Sequence, residues 1–154
     1  MSNSNFSISG TSINSTLYKG KSREFNFLVD EPNELGGQDL GANPVEYLLA
    51  AYAGCLNVVI NIVAKEQNIK IDEIKINIDG DVDPSKLLGI SDKNRAGFQS
   101  LNVDIDFKTD ESKEKIDLLF NDVKQRCPIN DNLSNPLPID YDVKTTASET
   151  VANA

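Results

Sequence analysis

The fold is decided by the stretch Asn43-Pro-Val-Glu-Tyr-Leu-Leu-Ala-Ala-Tyr-Ala-Gly-Cys55, which continues as Leu56-Asn-Val-Val-Ile-Asn-Ile-Val-Ala64. Pro44 has a fixed φ that suits the first turn of a helix, and Asn43 before it is a favourable N-cap. Glu46 places a negative charge at the positive end of the helix dipole. These signals predict a helix that begins at Pro44.

The predicted helix is apolar on almost every side. From Tyr47 to Ala64 only Asn57 and Asn61 are strongly polar, so we expect the helix to be buried nearly all round. It is too short and too interrupted to be a convincing transmembrane span. We therefore expect the central helix of a soluble core, with Cys55 in its middle.

Length and charge limit the possible partners. A chain of 154 residues is most simply one domain, residues 1–154. The net charge of −9 argues against nucleic acid or an anionic membrane surface, and favours a small molecule or another protein. Met1–Ser15 has no apolar segment with a basic flank, so we expect a cytoplasmic protein.

The residue types present restrict the chemistry. Histidine is absent, which excludes Ser-His-Asp triads, Cys-His pairs and histidine metal sites. Two cysteines without histidine make a poor zinc site. Reactive thiols would have to rely on arginine, lysine or helix N-terminal amides to lower their pKa.

Hydrophobic periodicity predicts the remaining elements. Frayed ends are expected at 1–5 and 147–154. The other predictions, in chain order, are a β-hairpin with strands over Phe6–Tyr18 and Arg23–Val29 and its turn at Lys19–Lys21, a long loop over Asp30–Ala42, strands over Ile69–Val82 and Leu101–Lys108, a short helical turn at Asp83–Gly89, a second helix from Thr109 to about Cys127, and a final strand over Pro136–Val143.

The two cysteines have two interpretations on composition alone. Cys55 lies among apolar residues of the predicted helix, and Cys127 precedes Pro128 where the second helix should end. Both could be small buried hydrophobic residues, since cysteine is among the most buried residue types. Both could equally be reactive thiols.

Three segments of the sequence carry a resemblance to known proteins. They are Asp30-Glu-Pro-Asn-Glu-Leu-Gly-Gly37, the helix stretch from Asn43 to Cys55, and Cys127-Pro-Ile-Asn-Asp-Asn-Leu133. Together they resemble the osmotically inducible protein C and organic hydroperoxide resistance (OsmC/Ohr) family. The resemblance covers about Arg23 to Val143, and the two cysteine motifs in this order are its most specific part.

The resemblance implies an OsmC-like α+β fold in which two chains intertwine as a homodimer with active sites at the interface. Better-known members are thiol peroxidases that reduce small organic hydroperoxides, often with a dithiol of the dihydrolipoyl type as reductant. By motif position Cys55 is implied to be the peroxidatic cysteine and Cys127 the resolving cysteine. The implied cycle runs through a sulfenic acid and a disulfide and needs neither a metal nor an organic cofactor.

Two positions depart from the peroxidase pattern. Val45 stands where the peroxidase members have a glutamate, and the hairpin around Asn14–Leu17 lacks the expected activating arginine. Glu46 and Arg23 are the nearest candidates for these catalytic roles, and Arg95 is a further candidate arginine. Glu46 is equally interpreted as a helix-end charge, and Arg23 as a solvated strand residue.

These departures leave a second function open. The same fold could serve as a dimeric binding protein whose pocket holds a small apolar or acyl ligand. Its cysteines would then be inert or only slowly oxidised. The leading prediction is the thiol peroxidase.

Overall fold

The computed structural model describes residues 3–146 and has the mixed α+β architecture that the sequence predicts. Three strands come first, then a long helix, a two-stranded sheet and two further helices. The elements are β1 (Ser9–Ser12), β2 (Tyr18–Ser22), β3 (Phe25–Val29), a 3₁₀ turn (Asn33–Leu35), α1 (Pro44–Glu66), β4 (Glu73–Val82), β5 (Phe98–Lys108), α2 (Lys113–Arg126) and α3 (Pro128–Ser134).

Helix α1 begins where the sequence predicts, at Pro44. The Asn43 side chain accepts a hydrogen bond from the Glu46 N–H at 2.9 Å. The Glu46 carboxylate accepts one from the Asn43 N–H at 2.8 Å, which completes a capping box. Two backbone donors that the helix itself cannot satisfy are thereby paired.

The burial of α1 differs from the prediction, because one face is buried rather than the whole circumference. Helices α2 and α3 and strand β4 pack on that face, whereas several large side chains elsewhere on the helix are exposed. The buried residues are Tyr52, Leu56, Val59, Ile60, Val63 and Ala64, and the large exposed ones are Val45, Tyr47, Leu48, Val58 and Ile62.

The expectation that α1 is too short to span a membrane was also wrong. The helix has 23 residues, and its most apolar 18-residue window has a mean hydropathy of 1.8, so it is long and apolar enough by length and composition. Core helices of soluble proteins meet the same criterion. The buried face of α1 belongs to the hydrophobic core of this chain.

The two strands that the alternating sequence predicts, β4 and β5, pair with each other in antiparallel orientation. Ile76 faces Ile105 across the ladder, and alternate residues of both strands turn toward the core. The predicted helical turn between the strands is confirmed, with the Leu88 N–H donating to the Pro84 carbonyl. The core also includes Leu119 and Val123 of α2, so it lies between the sheet and the helices.

The N-terminal region is a three-stranded sheet, which corrects the predicted hairpin. Lys19–Lys21 lies inside β2 and not in a turn. Gly20 is needed there because a β-carbon on it would lie 2.3 Å from the Phe27 ring. The chain reverses at Asn14, whose side chain accepts the Leu17 N–H at 2.7 Å, and at Arg23, which has a φ of 52°.

The loop over Asp30–Ala42 is confirmed, and a buried carboxylate organises it. Asp30 is fully buried and accepts backbone N–H groups of Glu31, Gln38 and Leu40. Burial raises the pKa of Asp30, but the hydrogen bonds from Thr16 and from these three N–H groups outweigh it and lower the pKa overall. Asp30 therefore holds the loop that leads into α1.

The C-terminal part differs from the prediction. No helix or strand forms over Pro136–Val143, because no strand within residues 3–146 pairs with that segment. Instead Pro128–Ser134 forms α3, which the sequence analysis missed. Of the ends predicted to fray, 3–5 form no regular secondary structure, and 1–2 and 147–154 lie outside the described residues.

Candidate functional site

The two cysteine sulfur atoms lie 2.7 Å apart, although 72 positions separate the residues in sequence. This separation is longer than a disulfide bond of about 2.05 Å, and both cysteines are free thiols. Cys55 lies on α1, and Cys127 lies at the junction of α2 and α3. The fold thus brings together the two residues that the sequence singled out.

The Cys127-Pro128 pair positions the second thiol. Cys127 has an extended backbone with φ −78° and ψ 112°, so α2 ends as predicted. Pro128 then starts α3, and the Cys127 sulfur serves as its N-cap by accepting the Asn130 N–H at 3.4 Å. Cys127 is fully buried.

The environment of Cys55 favours the thiol over the thiolate. Burial raises the pKa of Cys55, and the hydrogen bond with Cys127 raises it further. A hydrogen bond from the Ile129 backbone N–H lowers the pKa of Cys55 and only partly offsets these two effects. Within residues 3–146, no lysine or arginine side chain makes a hydrogen bond to either sulfur. The arginine activation described for peroxidase members therefore has no counterpart among these contacts.

Tyr52 and Asn130 form a polar contact beside the sulfur pair. The Tyr52 hydroxyl donates to Asn130 Oδ1 at 2.7 Å, and Asn130 Nδ2 donates to the Lys124 carbonyl at 2.9 Å. The pKa of Tyr52 is raised by burial and then by negative charge on Cys127 and Cys55. The sequence analysis missed this contact. The one available signal was that Tyr52 precedes Cys55 by about one helical turn.

A groove of 390 Å³ opens on the side of Tyr52 and Asn130. Among the described residues that line it, Arg95, from the connection between β4 and β5, is the one that carries a charge. Half of the other lining residues are apolar, namely Val45, Leu48, Phe98, Leu101, Val103 and Leu133. The groove combines apolar walls with a single positive charge.

Within the described residues, the contacts of Glu46 and Arg23 do not include the cysteines. Glu46 belongs to the capping box of α1. Arg23 lies in the turn between β2 and β3, with its guanidinium 4.9 Å from the centre of the Phe25 ring. Hydrogen bonds and ion pairs within residues 3–146 connect neither side chain to a cysteine. Their catalytic roles stay predictions.

Metal binding finds no support in the described part of the chain. No group of three or more cysteine, aspartate or glutamate side chains is arranged there to hold a metal ion. The contacts of the two sulfur atoms in this region are backbone N–H groups of α3, from Ile129 to Cys55 and from Asn130 to Cys127.

The sequence of this chain matches a family of known proteins. Residues 36–142 match the sequence model of a family described as OsmC-like protein. The chain belongs to the OsmC-like family. The match includes Cys55, Cys127 and the whole of α1, so the family shown is the one that the two cysteine motifs indicated.

Relatives of known name agree with this assignment. The chain is 34% identical over 103 residues to the organic hydroperoxide resistance protein OhrB of Bacillus subtilis, covering 66% of this chain and 69% of that protein. The crystal structure of the same OhrB superposes with a TM-score of 0.55 at 27% identity over 82% of this chain and 88% of that one.

A more similar fold is found at lower sequence identity. An OsmC-like protein from Mycoplasma pneumoniae superposes with a TM-score of 0.75 at 19% identity, over 86% of this chain and 89% of the other. This similarity establishes an OsmC-like fold for the described chain.

Proposed function

We propose that this protein is a thiol-dependent peroxidase that reduces small organic hydroperoxides. The observation that carries the proposal is the 2.7 Å approach of the Cys55 and Cys127 sulfur atoms in a fold of the OsmC-like family. The printed name of the Bacillus subtilis relative, an organic hydroperoxide resistance protein, supports the substrate class.

In the proposed cycle Cys55 attacks first. Its thiolate attacks the terminal oxygen of the hydroperoxide, the O–O bond breaks, and an alcohol leaves while Cys55 becomes a sulfenic acid. Cys127 then attacks the Cys55 sulfur, and water leaves as the disulfide forms. A dithiol reductant of the lipoyl type then reduces the disulfide and restores both thiols.

Exposure supports this order of the two cysteines. Cys55 is partly buried, whereas Cys127 is fully buried. A hydroperoxide entering from solvent therefore meets Cys55 first. Cys127 needs only to reach the neighbouring sulfur, and a small closing movement from the observed separation suffices.

The proposed partner is a second copy of this chain, in an intertwined homodimer in the cytoplasm. The exposed face of α1, with Val58 and Ile62, has the apolar character that a partner helix would cover. The β1–β3 sheet contacts α1 through Tyr47, which packs on Phe27 and donates to the Leu28 carbonyl. Because this contact between the sheet and α1 is small, the sheet is suited to packing on a partner chain.

The groove favours one alternative function. Apolar walls with Arg95 at one side suit a small apolar or acyl ligand with an acidic end, and the raised pKa of Cys55 would leave its thiol slow to react. Native mass spectrometry of freshly purified protein distinguishes this binding protein from the peroxidase. A bound acyl ligand would support it, whereas an empty groove with rapid peroxide consumption would contradict it.

Turnover of a hydroperoxide with a dithiol tests the proposed function. Wild-type protein is expected to consume cumene hydroperoxide with dihydrolipoamide as reductant, and Cys55→Ser is expected to lose this turnover. Equal turnover by the wild type and the Cys55→Ser variant would overturn the proposal.

A further inference from the structure

We infer that Cys127 donates the proton that the first chemical step requires, before it acts as the attacking thiol in the second step. The inference rests on the proposed peroxidase function. It starts from the hydrogen-bond contact between the two sulfur atoms and from the partners of the Cys127 sulfur.

The first step needs an acid near Cys55. Cleavage of the O–O bond releases an alkoxide, which is far more basic than a thiolate. A thiol with a pKa near ~8.5 can protonate it readily. The chain has no histidine, and no lysine or arginine side chain within residues 3–146 makes a hydrogen bond to either sulfur.

Other groups near the pair that could donate a proton already make hydrogen bonds to other residues. The Tyr52 hydroxyl proton is donated to Asn130 Oδ1. Arg126, the neighbour of Cys127 in sequence, directs its guanidinium to Glu66 on α1. The β4–β5 sheet faces this core with apolar side chains, among them Ile76 and Val103. Within residues 3–146, Cys127 is therefore the side-chain proton donor that remains in contact with Cys55.

The hydrogen bonds of Cys127 suit both of its roles. Its sulfur accepts the Asn130 N–H. Either sulfur can be the donor in the contact between the two cysteines, and we assign Cys127 as the donor to Cys55. The second nucleophile is thus generated when the sulfenic acid forms.

The proton and electron balance is complete. The form of the pair that reacts holds one proton, as a Cys55 thiolate beside a Cys127 thiol. The Cys55 sulfur gives two electrons to the terminal OH oxygen, the O–O bond breaks, and the alkoxide takes the Cys127 proton to leave as an alcohol. The Cys127 thiolate then attacks the Cys55 sulfur, the S–O bond breaks, and hydroxide leaves to be protonated by solvent.

The pH dependence of wild-type oxidation is the first test. Single-turnover oxidation of Cys55 by tert-butyl hydroperoxide is expected to rise with pH as the pair loses its first proton, and to fall again as it loses the second. A rate that rises to a plateau without a descending limb would overturn the inference. This readout depends on no variant.

The second test compares two leaving groups. Tert-butyl hydroperoxide releases a basic alkoxide, whereas peracetic acid releases acetate, which needs no proton. At one pH, Cys127→Ala is expected to slow oxidation by tert-butyl hydroperoxide at least about tenfold more than oxidation by peracetic acid. General acids contribute ~10²–10⁴-fold to the rate of such steps. The ratio of the two oxidation rates does not depend on the fraction of Cys55 that is thiolate, because both rates are proportional to that fraction.

Two control variants separate proton donation from packing. Val123→Ala loosens the core beside Cys127 without removing its proton, and is expected to slow both oxidants alike. Cys127→Ser keeps the shape and a hydroxyl donor, and is expected to recover part of the tert-butyl hydroperoxide rate. Equal slowing of both oxidants in Cys127→Ala would overturn the inference while leaving the peroxidase proposal intact. A wild-type protein that reacts no faster than a free thiol would overturn both.

Discussion

The Tyr52 hydroxyl donates a 2.7 Å hydrogen bond to Asn130 Oδ1 and so joins α1 to α3 across 78 positions of sequence. The backbone N–H of the same Asn130 donates to the Cys127 sulfur. Tyr52 therefore helps to fix Asn130, whose N–H donates to the buried thiol, and it also lines the groove.

Tyr52→Phe is expected to lower the free energy of unfolding by about 1–2 kcal/mol, because it leaves the partly buried Asn130 carbonyl without its donor. Urea denaturation measures this change. Tyr141→Phe is the matched control, since Tyr141 is 83% exposed, and its effect is expected to stay within about 0.5 kcal/mol. Equal effects of the two substitutions would contradict the role given to the Tyr52 hydroxyl.

Asn43→Ala is expected to destabilise the protein by about 1 kcal/mol, because it removes the acceptor for the Glu46 N–H. Asn57→Ala serves as control on the same helix. Asn57 lies in the exposed interior of α1, where alanine is the better helix former, so stability is expected to hold or rise. Chemical denaturation of both variants decides the point. An Asn43→Ala variant with an unchanged free energy of unfolding would contradict a stabilising role for the capping box.

Asp30→Asn is expected to destabilise the protein at pH 7 and much less at acid pH. The folded protein lowers the pKa of Asp30, so its carboxylate contributes stability above the unfolded pKa near ~3.9. This contribution is lost as the pH falls through the lower folded pKa. Unfolding midpoints of wild type and variant should therefore converge in acid. The exposed Asp104→Asn is the control, and a gap independent of pH would contradict the account.

Val58→Lys is expected to convert a dimer into a monomer of 16.9 kDa, because it puts a charge on the exposed apolar face of α1. Light scattering coupled to size-exclusion chromatography measures the mass. Leu118→Lys, on the exposed face of α2, is the matched control and should leave the dimer intact. A monomeric wild type, or a dimeric Val58→Lys variant, would contradict the proposed interface.

Local signals predicted the parts of the fold that depend on neighbouring residues. The cap at Asn43 and the proline after it set the start of α1, and alternating isoleucines set the inner face of β4. The Cys127-Pro128 pair likewise set the end of α2. Each of these signals acts within a few residues of the element it defines.

Features that depend on tertiary contacts could not be predicted from the sequence. Gly20 resembles a turn residue until the Phe27 ring is seen to lie over it in the neighbouring strand. Burial of α1 on one face depends on which elements pack there. The contact between Tyr52 and Asn130 and the separation of the two sulfur atoms both join distant parts of the chain. Periodicity carries no information about such distances.

Oxidation of the reduced protein by one equivalent of cumene hydroperoxide tests the central claim most directly. Stopped-flow kinetics would follow the reaction, and intact and peptide mass analysis would identify the product. The account predicts oxidation much faster than that of a free thiol, with loss of two hydrogens and one intramolecular Cys55–Cys127 disulfide. Oxidation at the rate of a free thiol, or a product without that disulfide, would contradict it.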